Sequence, residues 1–199
     1  MKHVGLLITG VGGQGIILAS DIIGEAAMAA GYDVKKTDTL GMAQRGGSVV
    51  SHVRIGPKIR SPLIREGEAD LLLAFEKLEA ARWTNYLHAG SAVIINDHAQ
   101  PPLAVNLGYE EYPGDDEIRG LLGQRTVKVF FVKGNEQAAR AGDVRALNTF
   151  MLGCASCFLP LETSVWEETI TQRLPAKVKS INMKAFEAGR KEMVDVSRR

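Results

Sequence analysis

Cysteine is scarce in this sequence: two residues in 199, Cys154 and Cys157, set three apart as a C-x-x-C pair. No second Cys/His pair with ligand spacing accompanies them, so this chain lacks a full ligand set for zinc or an iron–sulfur cluster. Their surroundings, Met151–Leu159, are apolar with small residues, which reads as helix packing rather than redox chemistry. Charge of one sign is lacking too. Lys+Arg 24 against Asp+Glu 23 leaves a net charge of +1, which gives no footprint for nucleic acid or an acidic membrane surface. No apolar run approaches the roughly 20 residues of a membrane span. The first residues carry no signal-peptide pattern, so a cytoplasmic location is expected. No Gly-Lys-Ser/Thr follows the glycines, which excludes a Walker loop. Among the four histidines, His3, His88 and His98 show no metal-ligand spacing.

What is present is an α/β rhythm in a chain long enough for one substantial core, 45% hydrophobic and 24% charged. An apolar strand is predicted over His3–Thr9, a helix over Ile16–Ala30 ended by Gly31, and a strand over Asp33–Thr37. Ser48–Ile55 alternates with a period of two, one face apolar and the other carrying His52 and Arg54. Gly56-Pro57 predicts a turn, with Lys58–Ser61 pairing back as a hairpin arm, which makes the sheet mixed. Further strands are expected at Ala69–Phe75, Ala92–Asn96 and Thr126–Val132, with helices at Lys77–His88, stopped by Gly90, and at Asp115–Leu122. From Asn135 onward only helices are expected: Asn148–Leu159, one opened by a capping box Ser164-Val165-Trp166-Glu167, and Lys177–Asp195. The fold class is α/β: a single three-layer α/β/α domain with a mixed, mostly parallel sheet and a helical C-terminal segment.

Two glycine-rich elements stand out. Gly10-Val11-Gly12-Gly13-Gln14-Gly15 joins the first strand to the first helix and bares main-chain N–H groups at a helix N-terminus, which attract anions. Gly41-Met42-Ala43-Gln44-Arg45-Gly46-Gly47 follows the second strand, so two glycine loops are expected on neighbouring strand ends. Gly10-x-Gly12-x-x-Gly15 formally matches the dinucleotide fingerprint. The acid that should bind a ribose is not in place, since Asp33 opens the second strand and Asp38 is expected past its end. Gln14 either caps its own turn or fixes a neighbouring loop or ligand. Arg45 either grips a carboxylate or phosphate with paired hydrogen bonds or stiffens the loop through Asp38. His52 reads as a satisfied structural histidine. Neither loop carries an evident catalytic acid, base or nucleophile.

These two loops, continued as Ser48-Val-Val-Ser-His-Val-Arg54, closely resemble the gamma-domain family of 2-oxoacid:ferredoxin oxidoreductases, in particular its small indolepyruvate-type subunits. The resemblance extends through Glu68–Glu76, Asn148–Gly153 and Asn182–Arg190, and so covers essentially the whole chain. It implies one gamma-type domain over residues 1–199, active only with a large partner subunit. That partner would hold thiamine diphosphate, magnesium and the iron–sulfur clusters, and the complex would convert an aryl 2-oxoacid such as indolepyruvate to an aryl-acetyl-CoA, passing electrons to ferredoxin. This chain alone would hold no cofactor or metal, with coenzyme A as co-substrate.

The candidate ligand-binding residues are Gly10, Gly12, Gly13, Gln14, Gly15, Gly46 and Gly47, with Gln44 and Arg45 in supporting roles. They are expected to complete the partner's active site or to receive coenzyme A phosphates. The alternative is a stand-alone dinucleotide- or nucleotide-binding domain.

Overall fold

A computed structural model describes residues 3–40 and 47–196. Six strands form one sheet: β1 (Val4–Val11), β2 (Asp33–Leu40), β3 (Ser48–Gly56), β4 (Ala69–Ala74), β5 (Leu87–Asn96) and β6 (Lys128–Val132), in the order β2-β3-β1-β4-β5-β6. β1, β4, β5 and β6 are mutually parallel, while β3 runs antiparallel to both β1 and β2. Among the described residues eight α-helices accompany it: α1 (Ile16–Ala29), α2 (Lys77–Arg82), α3 (Leu103–Asn106), α4 (Asp115–Gly123), α5 (Gly134–Ala141), α6 (Leu147–Ser156), α7 (Thr163–Arg173) and α8 (Ala176–Val196). Among the described residues no helix is long and apolar enough to cross a membrane.

Period-two alternation splits the strand side chains between two cores. Leu6, Ile8, Val53, Leu71, Leu73 and Ile94 pack with α1, α6, α7 and α8 through Ile23, Phe150, Trp166 and Phe186. Leu7, Leu72, Val93 and Ile95 pack on the other face with α2 and α4 through Ala80, Ile118 and Leu122. The three-layer α/β/α architecture follows from this division. Each such aliphatic side chain contributes about 1.5–3 kcal/mol by leaving water. α1 ends as expected: Gly31 has φ +85°, and the Tyr32 N–H reaches back to the Ala27 carbonyl.

Several expectations require correction. The sheet is mixed, yet Lys58–Ser61 forms no strand. Pro57 and Pro62 lack the N–H a ladder needs, and the Ile59 N–H donates instead to the Asp33 carboxylate at 2.7 Å. The antiparallel character comes from β3. β3 lies between β1 and β2, so the strand that the second glycine loop leaves does not neighbour β1, but the strand it enters does: Ser48 at the start of β3 pairs with Val11 at the end of β1. β2 also runs on to Leu40, so Asp38 lies inside it, accepting from the Ser51 hydroxyl at 2.6 Å and pairing with Lys36 at 3.1 Å. α2 stops at Arg82 and not near Gly90. Thr84–Tyr86 makes one 3-10 turn, Trp83 and Tyr86 lean edge-on against His52, and Gly90 falls within β5. The Ser164–Glu167 capping box does not form, because α7 already begins at Thr163 and Ser164 is inside the helix.

α6 and α8 meet through reciprocal glycines. A Cβ on Gly153 would stand 2.1 Å from the Phe186 carbonyl oxygen, and one on Gly189 would stand 2.1 Å from that of Phe150. Cys154 is buried in this seam and Cys157 exposed; both are free thiols. Burial pushes the Cys154 thiol up, which suits packing and opposes reactivity. Gly153→Ala or Gly189→Ala must therefore push backbone from backbone, at an expected cost of about 3 kcal/mol or more in equilibrium urea unfolding. Unchanged midpoints would show that the helices separate freely.

Candidate functional site

The first glycine loop leaves the carboxyl end of β1, next to β4. The crossover through α1 lies on one face of the sheet and that through α2 on the other, so this is the topological switch point where α/β sheets open a crevice. Gly10 is crowded from three directions. A Cβ there would meet the Gln14 side-chain oxygen at 2.6 Å, Ile16 Cδ1 at 2.7 Å and Phe75 Cβ at 2.9 Å. Gly13 and Gly15 have φ of +99° and +77°, left-handed values that only glycine adopts cheaply. Gly15 caps α1 without a side-chain hydrogen bond, so the first-turn N–H groups keep no side-chain partner from the cap.

Gln14 does both things its amide allows. Its Oε1 accepts the Val11 N–H at 2.9 Å, closing the turn, and its Nε2 donates to Gln100 Oε1 at 3.2 Å, tying the turn to the segment after β5. The two glycine loops also touch. The Gly12 N–H donates to the Gly47 carbonyl at 2.9 Å, continuing the pairing of β1 with β3 one step past Val11 and Ser48. Gln44, Arg45 and Gly46, expected to share this surface, lie outside the described residues.

A cleft of about 360 Å³ opens beside the loop, lined by Gly13, Gln14, His98, Gln100, Asn135 and Asn148 with Arg145 and Val144. Its walls come from the carboxyl ends of β1, β5 and β6 and the start of α6. A second cavity of about 190 Å³ adjoins it, sharing Arg145 and Asn148 and reaching Leu18, Ile181 and Asn182. Asn148 lies directly against Gly15: a Cβ on that glycine would stand 2.1 Å from its Nδ2. Its Oδ1 is buried without a hydrogen-bond partner, and so is that of Asn96 at the end of β5. Arg145 forms a two-pronged pair with Asp143 and holds that carboxyl down at about 2. The polar groups of the cleft are four side-chain amides, one histidine and one cation, set beside Val144 and Leu147, a mixed lining that can orient a polar or anionic ligand.

Beneath the loop lies a polar cluster that loop-centred reading of the sequence missed. Glu76, buried at the end of β4, accepts the Glu79 N–H at 2.9 Å, the Gln100 N–H at 3.0 Å and the Tyr112 hydroxyl. Glu79, also buried, accepts from the hydroxyls of Ser48 and Thr9 and pairs with Arg82 at 2.8 Å. Burial raises the Glu79 carboxyl above its ordinary range. Burial and the Glu76 carboxylate push the Tyr112 phenol well up. The available signal was two glutamates spaced i, i+3 directly after an apolar strand, with the first as helix N-cap. Among the described residues no group of three His, Cys, Asp or Glu side chains is arranged to hold a metal ion.

Residues 5–192 match the pyruvate ferredoxin/flavodoxin oxidoreductase family. The chain belongs to that family. Its relatives include indolepyruvate oxidoreductase subunit IorB of Pyrococcus horikoshii, 38% identical over 98% of this chain and 100% of that protein. The subunit of the same name from Archaeoglobus fulgidus is 41% identical over 94% of each. The keto/oxoacid ferredoxin oxidoreductase gamma subunit of Geobacter sulfurreducens shares the fold, with a TM-score of 0.71 at 22% identity over 96% of this chain and 99% of that one. The family that the glycine loops resemble is thus the one the chain matches over nearly its whole length.

His52 lies four residues along β3 from Ser48, away from the cleft. It is buried, and its Nδ1 accepts the Ile64 N–H at 3.3 Å, which requires the neutral ring. Burial lowers its pKa from the ordinary 6.5. The folded form therefore binds this proton less readily than the unfolded chain. His52 stabilises the fold fully above pH 6.5, and that contribution is lost as pH falls from 6.5 through the lowered folded value. His52→Gln should flatten the urea-midpoint profile between pH 7.5 and 5 relative to the unsubstituted chain. An equal acid drop in both proteins would place the sensitivity elsewhere.

Proposed function

We propose that this chain is the small subunit of a thiamine-diphosphate-dependent 2-oxoacid:ferredoxin oxidoreductase, with indolepyruvate or a related aryl 2-oxoacid as substrate and an aryl-acetyl-CoA as product. Residues 1–199 would act as one gamma-type domain of a cytoplasmic complex. The observation that carries this reading is near full-length identity of about 40% to subunits named for indolepyruvate oxidoreductase. Thiamine diphosphate, magnesium and the iron–sulfur clusters would reside in the large subunit and supply decarboxylation and the electron path to ferredoxin.

The role left to this chain is binding and orientation. Coenzyme A carries phosphates and amides, and the cleft offers matching groups: the Gly13-Gln14 turn that leads into α1, the side-chain amides of Gln14, Gln100 and Asn148, and the Arg145 guanidinium. The unpaired Asn148 Oδ1 would accept an N–H or O–H from the ligand. A volume of about 360 Å³ is at the low end of the roughly 300–1,000 Å³ of small-molecule sites, so it would take one end of the ligand. The remainder would lie against the large subunit. Gly46, Gly47, Gln44 and Arg45 would complete the rim, Arg45 pairing with a carboxylate or phosphate.

The test is reconstitution with a large iron–sulfur subunit and an assay of dye reduction dependent on indolepyruvate and coenzyme A. Arg45→Ala is expected to lower turnover, and Gln14→Ala to raise KM for coenzyme A about tenfold, the loss of one charge-linked hydrogen bond. The lone chain should be colourless and inactive. Unchanged rate and coenzyme A affinity in both variants would overturn the reading of the site, and tight NAD or FAD binding by the lone chain would favour a stand-alone nucleotide-binding domain.

A further inference from the structure

The segment between β5 and α4 leaves and rejoins the fold at nearly one point. Near its start the Gln100 N–H donates to Glu76 Oε1 at 3.0 Å, and near its end the Tyr112 hydroxyl donates to the same oxygen. The Tyr112 oxygen in turn accepts the Leu78 N–H at 3.1 Å. Between these ties, among the described residues, the hydrogen bonds of residues 101–111 stay inside the segment: those of the single turn α3, the Gly108 and Tyr109 N–H groups to Val105 and Ala104, and Asn106 to the Pro101 carbonyl. Burial adds little, because Leu103, Leu107 and Tyr109 are 71%, 57% and 79% exposed. This is an Ω-type loop whose closure depends on its ends. Lys77 also spans them from the solvent side through Asp97 at 3.3 Å and Asp115 at 2.6 Å, while the Lys77 N–H holds the His98 carbonyl and the Asp97 N–H the Val132 carbonyl. The buried carboxylate of Glu76 receives both ends.

The same carboxylate faces the glycine turn through one intermediary. It holds the Gln100 backbone, Gln100 Oε1 accepts from Gln14 Nε2, and Gln14 Oε1 holds the Val11 N–H. The Gln14–Gln100 link is exposed to solvent, so its geometry rests on how firmly the Gln100 backbone is anchored. We propose that Glu76 is a positioning residue of the glycine cleft: its carboxylate latches the 97–112 loop at both ends and thereby sets Gln100 against Gln14. The latch itself stands on the structure alone, whereas its effect on turnover rests on the proposed use of the cleft for coenzyme A.

Glu76→Gln keeps the shape of the side chain but turns one acceptor into a donor facing N–H and O–H groups that need an acceptor. Tyr112→Phe removes the far tie together with the acceptor of the Leu78 N–H but leaves Glu76 capping the Glu79 N–H, so it serves should the first variant not fold. Hydrogen exchange on the full chain is expected to quicken about tenfold for the Gln100 amide in Glu76→Gln, and for peptides within residues 101–112 in both variants, with the core strands unchanged. In the reconstituted complex KM for coenzyme A should rise about fivefold with kcat held, the mark of lost positioning. Unchanged exchange in the folded variants overturns the latch. Faster exchange with an unchanged KM, in a complex where Gln14→Ala does raise KM, overturns the positioning role. Faster exchange where Gln14→Ala also leaves KM unchanged upholds the latch and instead sinks the reading of the cleft.

Discussion

The missing Cβ at Gly10 is the constraint on which the site depends. With hydrogen there, Gln14 can fold back over the end of β1, Ile16 can enter the core at the first turn of α1, and Phe75 can close against the strand from β4. Each of those contacts fixes something further. Gln14 holds the turn, Ile16 sets the angle at which α1 leaves the sheet, and the Phe75 N–H binds the Thr9 carbonyl at 2.8 Å, joining β4 to β1 at the crevice. A methyl group would push on all three at once. Left-handed Gly13 and Gly15 then turn the chain sharply enough that α1 begins beside the cleft.

Much of this architecture was legible because it rests on local rules. Apolar runs bounded by glycine marked β1 and β4, the period-two pattern marked β3, and Gly31 marked the end of α1. The pairings were another matter. A sequence does not reveal that β3 slips between β1 and β2, because that choice is settled by contacts between residues far apart, such as Ser51 with Asp38 and Thr9 with the Val49 carbonyl. The early end of α2, expected to run to His88, involves Trp83 and Tyr86. Their spacing suits a continuing helix, yet their rings gain more by packing on His52, and the chain leaves the helix to let them.

The candidate site divides in the same way. Its glycines and Gln14 announced themselves through an unusual local composition. Glu76, Glu79, Gln100 and Asn148 did not, since each is an ordinary residue whose meaning comes from partners 24 to 86 positions away or from a glycine over a hundred residues distant. Two neighbouring glutamates after a strand normally read as a solvated helix start. Here both are buried, and the hydroxyls and N–H groups around them repay desolvation that would otherwise be prohibitive.

That satisfaction explains why the polar cluster supports the cleft without sharing its chemistry. Glu76 has three donors committed to it, and Glu79 has two hydroxyls and Arg82, so neither carboxylate is free to take a proton from a ligand without breaking structure. The unpaired side-chain oxygen facing the loop belongs instead to Asn148, an amide that can accept a hydrogen bond but has no useful acidity or basicity. On the proposed reading, a site built this way would discriminate by shape and by hydrogen-bond pattern, and its rigid support would hold the ligand's reactive end toward the large subunit. Division of labour between two chains is the arrangement such a lining serves best: one supplies reactive groups, and the other supplies a fixed, hydrogen-bonding wall against which the substrate's inert end is held.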